Sequence, residues 1–136
     1  MSFATIAGQD YVLSLAAARE EPVGVYYVAL CFNEPGITTG GGELDEVEGL
    51  GYARGELVNV SGNWDVIHSQ LTNQVGVIFP LADEDWGQVR YWAICDAIEA
   101  GRVFWAGEFS EPMYIGEGDQ VEIPEQALAL YFGEEE

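Results

Sequence analysis

The spacing of apolar residues changes period once along this chain. Near the start, Tyr11, Val12, Leu15 and Ala16 recur at helical intervals. The Ala16-Ala17-Ala18 run favours helix and Pro22 ends it, so the spacing predicts one helix over residues 2–20. Gly8 weakens its first turns, which puts the start of the ordered part near Gln9. From Val23 the period becomes two. Val25, Tyr27, Ala29 and Cys31 point one way, and Tyr26, Val28, Leu30 and Phe32 the other. A strand wet on one face alternates apolar with polar residues. Val23 to Phe32 does not, and reads as a central strand covered on both sides.

Residues 33–51 break the pattern. Pro35-Gly36 is turn chemistry, and Gly40-Gly41-Gly42 holds no regular element, so this is a long, Gly-rich, acidic loop. Ile37, Leu44, Val47 and Leu50 are spaced along it. Either they dock on a neighbouring chain or they fold back on their own domain. Short strand patterns separated by turn signals follow: 51–60, a less regular 64–71, 73–80, 88–96, 102–109, 113–115, 118–123 and 126–132. In the third, Val75, Val77 and Phe79 share a face; residues 81–86 read as a helical turn or loop. Segments 88–96 and 102–109 are expected to pair antiparallel across a turn at Ala97–Gly101. Residues 134–136 form an acidic, solvated tail. One N-terminal helix and seven to nine strands, with no helices between them, predict a single all-β domain over 1–136. It is an antiparallel β-sandwich or jelly-roll-like barrel.

Charge narrows the partners. Twenty-four acids face four arginines, and the sequence contains no lysine, for a net charge of −20. Such a surface repels phosphate backbones and anionic membranes, so neither nucleic acid nor membrane is an expected partner. Four Trp, seven Tyr and six Phe exceed what a small core requires, which suits an oligomer interface. The N-terminus lacks the basic and apolar regions of a signal peptide, and no apolar run reaches the roughly 20 residues of a membrane span. The expectation is a protein made and used without secretion.

Candidate chemistry is thin. His68, the single histidine, has no Ser, Cys or carboxylate at a telling offset. Asp83-Glu84-Asp85 and Asp45, Glu46 and Glu48 are acidic clusters that calcium can use, yet neither matches an EF-hand loop. In a chain this acidic, chance clusters are expected, and solvated loop charge is the better reading. Carboxylate pairs for glycoside hydrolysis are plentiful and none is marked. Trp86, Trp92 and Trp105 fall in or beside strand patterns, where core or interface is the first reading. Cys31 and Cys95 sit in apolar strands as buried thiols; a disulfide requires those strands to be neighbours, and a zinc site lacks further ligands. No catalytic residue, metal site or cofactor is expected.

Several segments, in order, resemble a family of small tailed-bacteriophage virion proteins. Tyr27-Val-Ala-Leu-Cys-Phe-Asn-Glu-Pro resembles the family's strand and following turn, and Gly51-Tyr52-Ala53-Arg54 its GGYAR signature. Phe79-Pro80 with Trp86-Gly87-Gln88-Val89, Ile94-Cys95-Asp96-Ala97, and the segment 116–124 (GEGDQVEIP) complete the set. Members are labelled tail fibre, minor structural or capsid decoration protein. The resemblance implies a structural role without catalysis. With the charge, it leads to the expectation of a decoration or cement protein on the capsid exterior, assembled from the host cytoplasm. Its expected partners are the major capsid protein and other copies of itself, as a trimer. A tail-fibre, tail-adaptor or baseplate component is the alternative, and a carbohydrate-binding module for host recognition a third. Interface candidates are Ile37, Leu44, Val47, Leu50, Tyr52 and Arg54. Arg54, one of four cations among many acids, either neutralises carboxylates inside its own domain or reaches across to another subunit.

Overall fold

The structure, a computed structural model, describes residues 2–131. The expected acidic tail at 134–136 lies outside the described residues. The architecture is mainly antiparallel β with one helix, arranged as packed sheets without a closed barrel among the described residues.

In chain order the elements are β1 (Ser2–Ala4), α1 (Ile6–Ala16), β2 (Val25–Cys31), β3 (Gly55–Val58), β4 (Trp64–Ile67) and β5 (Gln70–Asn73). Then come β6 (Val77–Leu81), β7 (Gly87–Cys95), β8 (Val103–Ile115), β9 (Gln120–Ile123) and β10 (Ala129–Tyr131). A five-stranded sheet runs in the order β1-β8-β7-β2-β3. A three-stranded sheet, β10-β5-β4, and a two-stranded sheet, β6-β9, complete the fold. The main core holds Val28 and Leu30 of β2 together with Val77 and Phe79 of β6, Ile123 of β9 and Leu130 of β10. The two small sheets therefore form the layer opposite one face of the large sheet. The alternate residues of β2, Ala29 and Cys31, join Ala93, Cys95 and Val103 in a second cluster on the other face. The all-apolar reading of β2 is thus explained by cover on both sides.

The first 20 residues depart from the sequence reading. Ser2–Ala4 is a strand, with Ser2, Phe3 and Ala4 opposite Gly107, Ala106 and Trp105. Thr5 caps the helix, accepting from the Gly8 N–H at 2.9 Å. The helix ends at Ala16 because Ala18 turns left-handed (φ 57°) and the Arg19 N–H reaches back to the Ser14 carbonyl at 2.8 Å. Gly8 is a requirement of the packing. A Cβ there would lie 1.9 Å from the Phe104 carbonyl oxygen, so only glycine lets the helix rest on the backbone of β8. One turn on, the Tyr11 ring stacks on Phe104 at 4.2 Å between centroids, and its hydroxyl meets that of Tyr26 at 2.8 Å.

Two irregularities reset the alternation in the longest strand pair. Between Tyr91↔Glu108 and Val89↔Met113, β8 carries extra residues, Phe109 to Pro112, in a bulge. That bulge fuses the separately expected strands 102–109 and 113–115 into one, and it accommodates Pro112, which has no N–H for a ladder. It also places Val89 in the main core beside Trp92 and Ile94, although strict alternation would put it on their opposite face. A second shift, between Ile94↔Trp105 and Cys95↔Val103, leaves Phe104 as the extra residue, so Phe104 and Trp105 both enter the main core.

Smaller differences follow the same logic. Residues 64–71 split into a hairpin of β4 and β5, whose two-residue turn holds His68 and Ser69 at φ 53° and 64°. Val75 precedes β6 and is exposed, so the shared face begins at Val77.

Candidate functional site

The loop after β2 is largely docked on its own domain. The Phe32 N–H donates to the Asp45 carbonyl (2.9 Å) and the Val47 N–H to the Leu30 carbonyl (3.0 Å), so residues 45–47 run beside the end of β2 like a short added strand. That places Val47 in the main core, 3 % exposed, and Leu44 against the second cluster on the opposite face. Small side chains there (Ala29, Cys31, Ala93, Cys95) let the loop approach closely. At Gly41 the approach is backbone to backbone. An added Cβ would sit 1.9 Å from the Ala100 carbonyl oxygen, and the Gly41 N–H donates to Gly101 at 2.9 Å.

Arg54 fastens this strap. It is 4 % exposed and uses all five of its N–H donors. Nε and one Nη2 hydrogen grip the Glu46 carboxylate in a bidentate pair at 2.9 Å each. Nη1 donates to the carbonyls of Ala97 and Ala100, both at 2.9 Å, and Nη2 also reaches Gly41 at 3.2 Å. One guanidinium thus ties the Gly-rich loop, the added strand and the β7–β8 turn together. Burial is the largest single influence and would lower its pKa, but the hydrogen bonds to Glu46 and the attraction of Cys95, Glu46 and Tyr52 together outweigh it, leaving the guanidinium raised and permanently charged.

Tyr52 is the second anchor. Its hydroxyl donates to Glu46 and accepts from the Leu30 N–H at 3.1 Å, while its ring meets Trp86 edge to face at 5.3 Å. Trp86 in turn donates from Nε1 to the Leu50 carbonyl at 3.0 Å. Gly49 to Tyr52 form a turn closed by a 3.1 Å bond from the Tyr52 N–H to the Gly49 carbonyl, with Gly51 at φ 86° as the third residue. Leu50 is the tip.

Of the six sequence-derived interface candidates, four converge: Leu44, Val47, Tyr52 and Arg54 line one cleft of about 390 Å³ with Glu48, Ile98 and Glu99. Ile37 and Leu50 stand apart and outward, 47 % and 64 % exposed. Ile98 and Ile78 were missed. Ile98 lies in a turn whose position depends on Arg54, and Ile78 is the outward residue of a strand read for its inward face.

The other candidates disperse. His68 is at an exposed hairpin tip. The carboxylates of Glu84 and Asp85 accept from different backbone groups, the Leu50 and Glu117 N–H, while Asp45 pairs with Asn33 and Glu46 with Arg54. Among the described residues no group of three or more His, Cys, Asp or Glu is arranged to hold a metal. Trp86, Trp92 and Trp105 are buried in the core. Cys31 and Cys95 are on neighbouring strands, but the register sets Cys31 opposite Tyr91 and Cys95 opposite Tyr27, a four-residue offset that keeps both thiols free. Asn73 also escaped sequence reading. Fully buried, its side chain donates to the carbonyls of Val75 and Pro124 and accepts from the Leu128 N–H, joining three segments. Nothing in the surrounding sequence marks it.

No curated protein matches the chain. The sequence model of the Gp80 family, described as Podophage GP4 fiber I protein gp80, matches residues 13–131. That span contains the strap, the Arg54 clamp and every strand except β1. A match over nearly the whole folded chain shows that this protein belongs to the Gp80 family of phage fibre and structural proteins.

Proposed function

We propose that this chain is a non-catalytic building block on the outside of a tailed-phage particle, mounted in its fibre apparatus, and that it works by docking. The observation that carries the reading is the contrast between interior and surface. Among the described residues, the polar side chains at the cleft, Arg54, Glu46 and Tyr52, are spent on holding the strap, while several large apolar side chains stand in water on a strongly acidic protein. Single exposed apolar residues are ordinary, but where they gather, as Ile78 and Ile98 do along one cleft, they mark a surface that a neighbour covers. The family description supports the fibre location.

The second reading, a decoration protein clamping capsid subunits from outside, is favoured by the charge of −20, which would be repelled by packaged DNA. Trimerisation belongs to that reading, and a light-scattering mass equal to one chain would count against it. Gold-labelled antibody on intact particles separates the two. Label at the tail supports the fibre reading, label spread over the head supports decoration, and particles without label contradict both.

A further inference from the structure

Beside the Arg54 clamp, the cleft described above continues into a second of about 490 Å³, with Ala53, Arg54 and Ile98 common to both. Its floor and walls are apolar: Ala53, Ile78, Pro80 and Ile98, with Ile78 58 % and Ile98 48 % exposed. Its rim is acidic. Glu48 and Glu99 edge one end and Glu56 the other, all exposed. Arg54 contributes no free positive charge, because its hydrogens are all committed and Glu46 neutralises it.

We infer that this trough receives an apolar segment of a different virion protein, one that carries lysine or arginine on either side of its apolar residues. This deepens the docking role proposed above and rests on it. The argument is charge complementarity. A second copy of the chain would bring an acidic rim against an acidic rim, with −20 on each side and no lysine to offer. A partner with basic flanks satisfies Glu48, Glu56 and Glu99 while its apolar side chains cover Ile78 and Ile98, the arrangement of dry centre and polar rim that stable interfaces share. The clamp supplies the rigidity: Ile98 sits in the turn whose carbonyls Arg54 holds, so the trough is preformed and little ordering opposes binding.

The test uses phage particles assembled with variant chains. Ile78→Asp with Ile98→Asp, and separately Glu48→Lys with Glu56→Lys and Glu99→Lys, change only exposed positions, and retained folding is checked by circular dichroism and the urea midpoint. Both variants are expected to fall about tenfold or more in copies per particle, whereas Val66→Asp with Ile67→Asp, on the remote exposed hairpin, stays at the wild-type level. Carbodiimide treatment of wild-type particles adds an independent readout. Because the chain has no lysine, every carboxylate-to-lysine link reports a different protein, and links are expected from Glu48, Glu56 or Glu99. Wild-type incorporation of either folded trough variant overturns the proposal. So does loss of a wild-type oligomer in the Ile78/Ile98 variant, which assigns the trough to a second copy. Links confined to remote carboxylates such as Asp10 or Asp65 overturn it as well, and in each of these cases the virion reading stands. Absence of the wild-type chain from particles removes both.

Discussion

Replacing Arg54 by alanine probes the feature on which the strap and the trough both depend. The side chain makes five hydrogen bonds, two of them to a carboxylate 17 % exposed. Removing one member of a buried ion pair costs about 3–5 kcal/mol, since the other charge is left behind. Glu46 keeps the Tyr52 hydroxyl and some access to water, which favours the lower end, about 3 kcal/mol. The Gly41 carbonyl, in a buried residue, loses its partner for about 1 kcal/mol more. The Ala97 and Ala100 carbonyls, in a half-buried and an exposed residue, rehydrate at little cost. The sum is about 4 kcal/mol, which at a urea slope of about 2 kcal/mol/M lowers the midpoint by about 2 M. Most of a domain's stability of about 5–15 kcal/mol survives only in the upper part of that range, so the variant is folded but fragile. Arg54→Lys, which keeps the charge and loses the fork, should fall between the two. Limited proteolysis gives the local readout: cutting between residues 40 and 51 is slow in the wild type and fast in the alanine variant. A midpoint within about 0.3 M of wild type, with unchanged cleavage, would refute the idea that this arginine holds the strap.

Three further outcomes follow from the packing and the buried groups. Gly8→Ala, which in an isolated helix gains about 1 kcal/mol, should instead destabilise by about 2 kcal/mol or more because its Cβ meets the Phe104 carbonyl; a raised thermal midpoint would contradict this. Asn73→Ala strands the buried Leu128 N–H, while the Val75 and Pro124 carbonyls, in exposed residues, can rehydrate; it should cost about 2 kcal/mol by urea titration, with less than about 0.5 kcal/mol counting against its role as a clip. Burial pushes the Cys95 thiol up to about 12, and raises Cys31, Tyr26 and Tyr52 as well, from 9.0 for the thiols and 10.0 for the phenols. Above pH 9 the unfolded chain releases protons that the folded chain keeps, so stability is complete below that point and declines toward pH 12, by about 1.4 kcal/mol per unit for each titrating group. The midpoint should drop between pH 8 and pH 10.5, less steeply with both cysteines replaced by alanine; a flat profile would contradict the burial of these groups.

What was legible in the sequence is what period-two patterning records. The apolar run of β2 announced cover on both faces, and 88–96 pairing with 102–109 followed from two strand patterns across a short turn. What was not legible depends on contacts remote in sequence. Three residues of β1 carry too little pattern to outvote the helix that follows. The bulge at Phe109–Pro112 imitates a strand break because proline and polar residues interrupt the alternation, while the ladder resumes beyond it. The strap was readable as a loop with apolar residues, but not its course. That course is set by a guanidinium whose farthest carbonyl partners lie 43 and 46 residues away, and which local spacing cannot reveal. Ile78 and Ile98 were invisible for the same reason: each is an unremarkable residue until the clamp sets it beside the other.

Quantitative mass spectrometry of purified particles tests the central claim most directly, by counting this chain against the major capsid protein. A structural component of the particle is present in a fixed ratio from one preparation to the next, with a few to a few dozen copies for a fibre and hundreds for a head decoration. A chain missing from purified particles, or varying freely in amount between preparations, would contradict the account.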